Sequence, residues 1–359
     1  MFNKEISKLK IALTSRCTME CTHCFVNKRG RETISMNDAA NGLDLFLGSP
    51  GPNKILEIYG GEPLTEFELL KEITALAGHK ARKLRRRLVI SVASNGALLT
   101  EKHADYFRKN GIAFSLSFSG TRESHNSVRK FAGGQGSYDA VVKKFPLLFA
   151  KLKNNLHVIF CVHPESAANA YEDFKRLAEL GFRNIGIECV HGFPWRGKNY
   201  SDFARSMEKI TDYVRQKMYS GDFIILNAFM DFFKEKSYAG AFCPFFRDFE
   251  MFPDGAFSFY PYAFIRDNRQ RKRIAVGNAS SGLLKKYLEC KPLAGSPACA
   301  DCLSSYYCLP GLADGSRAYR LRTQICRQAL KDIIALSMKK PAAKKYVKYL
   351  IKIFKKGCA

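Results

Sequence analysis

The chain has 359 residues, 46% of them apolar and 13% aromatic, with 58 Lys and Arg against 33 Asp and Glu for a formal charge of +25. That length suits two domains, and that apolar content can bury a large core, which excludes a disordered chain. No window holds the roughly 18 apolar residues of a membrane-spanning helix, and Met1–Lys10 lacks the apolar core of a secretion signal, so a cytoplasmic protein is expected.

The first half alternates strand-like and helix-like runs. Lys8–Thr14 reads as a strand, and Ser35–Leu47 as a helix capped by Ser35 with Asp38 three residues on. Lys54–Tyr59, Leu88–Ala93, Ile112–Phe118, Leu156–Val162 and Asn184–Val190 read as further strands. The helices expected between them are Glu66–Ala77, Glu101–Lys109, Tyr138–Leu152 and Ala168–Leu180. Six β/α units in a row predict an α/β fold with a parallel sheet, curved into a partial barrel or left open. Sites in such sheets sit at the carboxyl ends of the strands. Tyr200–Met218 and Asn227–Glu235 look helical. From Cys243 the chain is rich in Gly, Pro, Cys and aromatics, with too little periodicity for a core of its own, so a metal centre is expected to hold it together. From Lys339 to Lys356 there are eight lysines and no acid. Val347, Leu350, Ile351 and Phe354 repeat there at helical spacing, which predicts a basic amphipathic helix. Two readings of it stand: it docks on the protein's own core, or it binds an anionic membrane or partner. The organisation expected is a core over 1–195, a helical bridge over 196–242, a small loop-rich domain over 243–330 and a tail helix over 331–359.

Twelve cysteines in a reducing compartment read as ligands rather than disulfides, and they are clustered: three within Cys17–Cys24 and four within Cys299–Cys326. Cys17-x3-Cys21-x2-Cys24 puts three soft thiolates on the loop after the first strand, suited to an iron–sulfur cluster. Three protein ligands leave one iron of a four-iron cubane open to a cofactor. The competing reading is a closed zinc site completed by His23.

This segment resembles the CxxxCxxC signature of the radical SAM superfamily, with His23 where an aromatic usually precedes the last cysteine. Tyr59-Gly60-Gly61-Glu62-Pro63 is similar to the family's GGEP motif, and Ser94-Asn95-Gly96 to its Asn-Gly turn. Ser117-Phe118-Ser119-Gly120 with His125 and Arg129 resembles its S-x-D-G…H-D-x-x-R stretch, Ser119 and Asn126 replacing the two Asp. The resemblance covers about residues 8–190. It implies a partial (β/α)6 barrel, a [4Fe-4S] cluster on Cys17, Cys21 and Cys24, and S-adenosylmethionine (SAM) held near His23, Gly60, Gly61, Glu62, Ser117, Arg129 and Val190. An Arg suits the SAM carboxylate because its fork pairs with both oxygens. The implied chemistry is reductive cleavage of SAM to a 5′-deoxyadenosyl radical that abstracts hydrogen from a substrate carbon, with an external donor such as flavodoxin or ferredoxin.

Cys299-x2-Cys302-x5-Cys308 with Cys326 resembles the SPASM extension of radical SAM enzymes that modify peptides and proteins. Tyr260 and Leu312 stand where two ligands of its first auxiliary cluster are expected. The resemblance therefore implies one auxiliary [4Fe-4S] cluster, on Cys299, Cys302, Cys308 and Cys326; a zinc site on the same four is the alternative. Cys243 and Cys358 are then left over, and Cys161, Cys189 and Cys290 read as small buried apolar residues. Pro261 follows Tyr260 where sulfatase-maturing relatives carry an acid, which weighs against that reaction. His191, Trp195, Arg196 and Tyr260 are candidate substrate contacts. The chain begins almost at the first strand, so no added leader-peptide domain is expected.

The function expected is oxidation or cross-linking of a peptide or protein side chain. An acidic peptide would suit the basic runs Lys80–Arg87 and Arg266–Arg273. The alternatives are a radical dehydrogenase of a small molecule such as an amino sugar, and a non-enzymatic basic protein that binds nucleic acid or membrane. A nucleic-acid partner is not expected, because such binding has no need of an open triad.

Overall fold

The computed structural model describes residues 5–26, 32–190, 193–237, 248–258, 275–284 and 313–357. Its centre is a parallel sheet of β1 (Lys8–Ala12), β2 (Asn53–Tyr59), β3 (Arg87–Ser94), β4 (Ala113–Ser117), β5 (Leu156–Val162), β6 (Asn184–Cys189) and the short β7 (Ile225–Leu226), paired in chain order. The helices between the strands are α1 (Met36–Gly48), α2 (Phe67–Lys83), α3 (Glu101–Lys109), α4 (Arg122–Val128), α5 (Tyr138–Val142), α6 (Phe145–Leu152) and α7 (Ala170–Glu179). They are followed by α8 (Gly197–Tyr219) and α9 (Asn227–Ser237).

The loop-rich stretch contributes strands. β8 (Asp248–Met251) pairs parallel with β1, and β9 (Ala256–Ser258), β10 (Ala275–Asn278) and β11 (Gly282–Leu283) continue antiparallel from it. Two helices close the chain, α10 (Ala313–Ser337) and α11 (Pro341–Gly357). The sheet order is β11-β10-β9-β8-β1-β2-β3-β4-β5-β6-β7, an open sheet and so a partial barrel.

Most predicted elements form close to their expected bounds, and the local chemistry explains the exceptions. Ser35 caps α1 by accepting from the Asp38 N–H, as the sequence predicts. The single helix expected over Tyr138–Leu152 is broken into α5 and α6, because Pro146 lacks the N–H that would reach back to Val142. The helix expected from Ala168 begins as a 3-10 turn, Pro164–Asn169, before α7. The region expected to be loop-rich up to residue 330 instead contains α10 from Ala313 onward.

The strands alternate, which is unusual for a parallel sheet covered on both faces. The outward residues (Leu9, Ile11, Leu56, Ile58, Val92, Phe114, Leu116, Val158, Phe160, Ile187) are buried under the helices. The inward positions (Lys8, Lys10, Ile55, Glu57, Tyr59, Val89, Ser91, Ser115, Ser117, His157, Ile159, Cys161, Glu188) are mostly polar or small and only half-buried. The barrel therefore encloses a polar chamber rather than a packed interior.

Register sets Glu250, Lys10, Glu57 and Ser91 in one row across four strands. Lys10 Nζ lies 3.3 Å from Glu250 and Lys8 Nζ lies 2.6 Å from Glu57. Burial would raise the Glu57 carboxyl, but the ammonium groups of Lys8 and Lys10 outweigh it and hold the acid down at about 2. At Glu250 burial wins, and its carboxyl is raised.

The tail helix docks on the chain itself. Ala343, Tyr346 and Leu350 are fully buried, and Tyr346 packs edge-on to Phe223 while its hydroxyl donates to the Ile224 carbonyl. The buried stripe is thus rotated from the one expected, and Ile351 is 36% exposed. The aromatic ring of Tyr346 and the carbonyl it reaches decide which face turns inward. In urea denaturation, Leu350→Ala should cost about 3 kcal/mol and Tyr346→Phe about 1 kcal/mol, whereas Ile351→Ala should stay within ~0.5 kcal/mol.

Candidate active site

Cys17, Cys21 and Cys24 lie on the loop leaving the carboxyl end of β1, each half-exposed. Two backbone clamps fix that loop. On one side it runs against the loop after β2: the Gly61 N–H donates to Thr14 O at 2.6 Å and the Glu62 N–H to Arg16 O at 2.7 Å. The approach is so close that a Cβ on Gly60, at φ 139°, would lie 2.5 Å from Thr14 O, and one on Gly61 would lie 2.2 Å from Arg16 O. On the other side Glu20 N–H donates to Lys130 O at 2.8 Å and Thr22 N–H to Val128 O at 2.9 Å. This second clamp brings Arg129 beside the cysteine loop.

Glu62, fully buried, braces the next strand. Its carboxylate accepts from Leu64 N–H, Ser94 Oγ and Asn95 N–H at 3.0, 2.8 and 2.8 Å. Burial still raises it to about 7 against those donors. The side chain of Glu62 is thus turned into the fold, while Gly60 and Gly61 face the cysteine loop's backbone. Asn95, held so, directs Nδ2 to Cys17 Sγ at 3.7 Å, and Met19 N–H reaches the same sulfur at 3.4 Å. The Asn95–Cys17 contact had no signal in the sequence beyond its Asn-Gly turn.

Arg129 is 5% exposed. Its Nε donates to Ser119 Oγ at 3.3 Å and its Nη2 to Cys161 Sγ at 3.6 Å. Cys161 therefore faces the chamber, where the sequence suggested only a packed apolar residue; Cys189, on the outer face of β6, is buried as expected. Ser117 ends β4 on the chamber side, half-buried. His125 orders the turn behind Arg129. Its Nδ1 accepts from Ser119 N–H at 3.2 Å, so the proton sits on Nε2, which donates to Ser137 Oγ at 2.9 Å. That hydroxyl donates to Arg129 O at 3.0 Å. Burial, then Arg129 and His23, push the His125 imidazole down to about 2, so it is neutral.

At the far side of the chamber, α10 sends the fully buried Arg322 to the Ile187 carbonyl, 3.7 Å from Glu188, which also accepts from Asn227 Nδ2 at 3.1 Å. Sequence reasoning missed this arginine, which reads as one more charge on a basic helix. Cys326, one turn later on the same helix, is 1% exposed.

Other predicted residues fall elsewhere. Val190 is buried, its carbonyl accepting from Trp195 Nε1 at 3.0 Å. Trp195 packs on Tyr200 and Phe203, a core role rather than a substrate contact, and Arg196 caps α8 at the surface. The run Lys80–Arg87 stands at the opposite end of the strands from the cysteine loop. There Lys80 pairs with Asp44, and Arg86 donates to Leu47 O and Ser49 O at the end of α1, so the run serves helix termini. His191, Cys243, Tyr260, Pro261, Arg266–Arg273, Cys290, Cys299, Cys302, Cys308, Leu312 and Cys358 lie outside the described residues.

Among the described residues no three His, Cys, Asp or Glu converge to hold a single metal ion. The donor set at the loop is three thiols, with N–H groups aimed at one sulfur, which fits a cluster that takes one thiolate per iron.

Comparison with known proteins agrees with this site. Residues 11–180 match the radical SAM superfamily. Residues 11–180 form a radical SAM domain. The chain is 25% identical over 234 residues to a cysteine-type anaerobic sulfatase-maturating enzyme of Clostridium perfringens, covering 60% of this chain and 62% of that one. It is 27% identical over 182 residues to a serine-type counterpart from Klebsiella aerogenes, covering 48% and 44%. The matches thus span under two thirds of these relatives' length. In fold it is similar to native anSMEcpe with bound AdoMet, at TM-score 0.69 and 17% identity over 91% of this chain and 98% of that one. It is also similar to Streptococcus suis SuiB bound to precursor peptide SuiA, at TM-score 0.56 and 16% identity over 81% and 66%.

Two outcomes follow from the clamps. Gly61→Ala should cost more than ~2 kcal/mol in stability, because the added carbon meets backbone that cannot swing aside. His125 should make the fold acid-sensitive. Its folded value near 2 lies below the 6.5 of an unperturbed imidazole, so its contribution is present above pH 6.5 and lost as pH falls, by up to about 1.4 kcal/mol per pH unit. Melting curves of wild type and His125→Gln should therefore converge between pH 7 and pH 5.

Proposed function

We propose that this chain is a radical SAM enzyme that modifies a side chain of a peptide or protein, by oxidation or cross-linking. The observation that carries the reading is the cysteine loop clamped between the Gly60-Gly61 turn and the Arg129 segment. Cys17, Cys21 and Cys24 would hold a [4Fe-4S] cluster and leave one iron for SAM. When bound, the reduced cluster with SAM supplies a 5′-deoxyadenosyl radical able to abstract hydrogen.

The chain's own residues do the rest. Asn95 Nδ2 and Met19 N–H stabilise negative charge on the Cys17 sulfur. Arg129, held by Ser119 and Cys161, offers a desolvated guanidinium for a carboxylate. Gly60 and Gly61 keep the turn against the loop. The half-buried, largely polar inner face behind them leaves room for a reacting side chain.

A cleft of about 460 Å³ opens beside Thr22, lined also by Glu123, Glu165, His163 and Phe193, and it gives an extended peptide a path to the loop. Among the described residues its lining carries two carboxylates and no Lys or Arg, which favours neutral or basic residues there over acidic ones. The curated relatives include sulfatase-maturating enzymes, and SuiB is bound to a precursor peptide, which supports a peptide substrate. Cys326 on α10, with Cys299, Cys302 and Cys308, would hold the auxiliary cluster.

After anaerobic reconstitution the protein should carry about eight iron, and Cys326→Ala about four. With SAM and dithionite it should release 5′-deoxyadenosine, and Cys17→Ala should abolish that release. A wild type with full iron but no 5′-deoxyadenosine would overturn the reading. Asn95→Ala should keep the iron but shift the reduction potential of the first cluster, read by redox titration.

A further inference from the structure

We propose that the outward face of α11 is a docking surface for an anionic lipid bilayer. This goes beyond the catalytic reading and does not depend on it. The apolar side of the helix is already spent on the protein's own core, through Ala343, Tyr346 and Leu350. What faces solvent is charge of one sign: Lys339, Lys340, Lys344, Lys345, Lys348, Lys352 and Lys355 are all exposed. At about 100° per residue, Lys344, Lys345, Lys348, Lys352 and Lys355 fall within one arc of about 100°, on the side away from the buried stripe.

None of these five makes an ion pair among the described residues. Lys344, Lys348 and Lys352 are spaced four apart, an arrangement that destabilises a helix by like-charge repulsion. The fold gains nothing from it, and a surface of opposite charge relieves it.

Three features favour a bilayer over an acidic peptide or a nucleic acid. The stretch 339–356 contains lysine and no arginine, hence point charges without the planar fork that reads individual carboxylates and phosphates. The five lysines occupy one arc of a single helix rather than two walls of a groove among the described residues. Met338, 86% exposed at the turn into α11, and Ile351, 36% exposed beside the lysine arc, give apolar side chains at the depth where headgroups meet acyl chains.

The test is co-sedimentation of the full-length protein with vesicles of phosphatidylcholine alone or with about a third phosphatidylserine. The wild type should bind only the anionic vesicles and be released in ~0.5 M salt. Substituting Lys344→Glu, Lys345→Glu, Lys348→Glu and Lys352→Glu together should weaken binding at least ~10-fold. A control carrying Lys83→Glu, Lys109→Glu, Lys143→Glu and Lys153→Glu, with the same change in net charge on other elements, should lose less than ~3-fold. Lys→Gln changes at the four α11 positions, set against Lys→Gln changes at the four control positions, provide the same comparison should the glutamates loosen the helix, and melting curves monitor that. Equal loss in both sets, binding to neutral vesicles, no binding to either vesicle, or preference for a polyglutamate peptide or an oligonucleotide would each overturn the proposal. None of these outcomes depends on SAM cleavage.

Discussion

The structure turns on one close approach, that of the loop after β1 to the loop after β2. Backbone lies against backbone there, with the Gly61 and Glu62 N–H groups given to Thr14 and Arg16. No side chain could intervene, which is why the turn is Gly60-Gly61. Once the two loops are locked, Glu62 carries the constraint on to Ser94 and Asn95, and Asn95 carries it back to Cys17. Three strand ends are thereby fixed around one sulfur. The second clamp, through Lys130 and Val128, adds the arginine that the first cannot reach.

The polar chamber gives this arrangement its purpose. A parallel barrel packed with Val and Ile would have no space for a reacting group. Here the inward positions are mostly Lys, Glu, Ser, His and Tyr, with Ile55, Val89 and Ile159 among them, and Lys8 and Lys10 answer the charges of Glu57 and Glu250. Buried charge in that setting is tolerated because each member has a partner. The same logic appears at Arg322, whose helix is pinned to β6 beside Glu188.

The order of strands and helices was legible because periodicity and turn chemistry agreed through residue 190. The cysteine loop, the glycine turn and Arg129 were legible because each sits at a strand end with a recognisable spacing. What the sequence concealed was tertiary. Nothing local marks Asn95 as a partner of Cys17, or Cys161 as a partner of Arg129, since both contacts depend on how strands far apart in sequence curve together. Arg322 looked like surface charge because burial of an arginine is set by a carbonyl and a carboxylate on another element. Of the expected tail stripe Val347, Leu350 and Phe354 pack inward and Ile351 turns to solvent, because Ala343, Tyr346 and Leu350 satisfy the same period and centre the buried face a little to one side.

The pairing of β8 with β1 joins positions some 240 residues apart. A chain emerging from the ribosome completes six strands and their helices long before that partner exists. During the interval β1 presents a bare edge, with Lys10 on its inward side, and a lysine there discourages another strand from annealing to it. Glu250 then adds a second carboxylate beside Lys10, after Glu57, and the edge is covered. The strand Asp248–Met251 thus completes the sheet that the first half of the chain begins, and truncation ahead of residue 248 would leave that edge guarded by Lys10 alone.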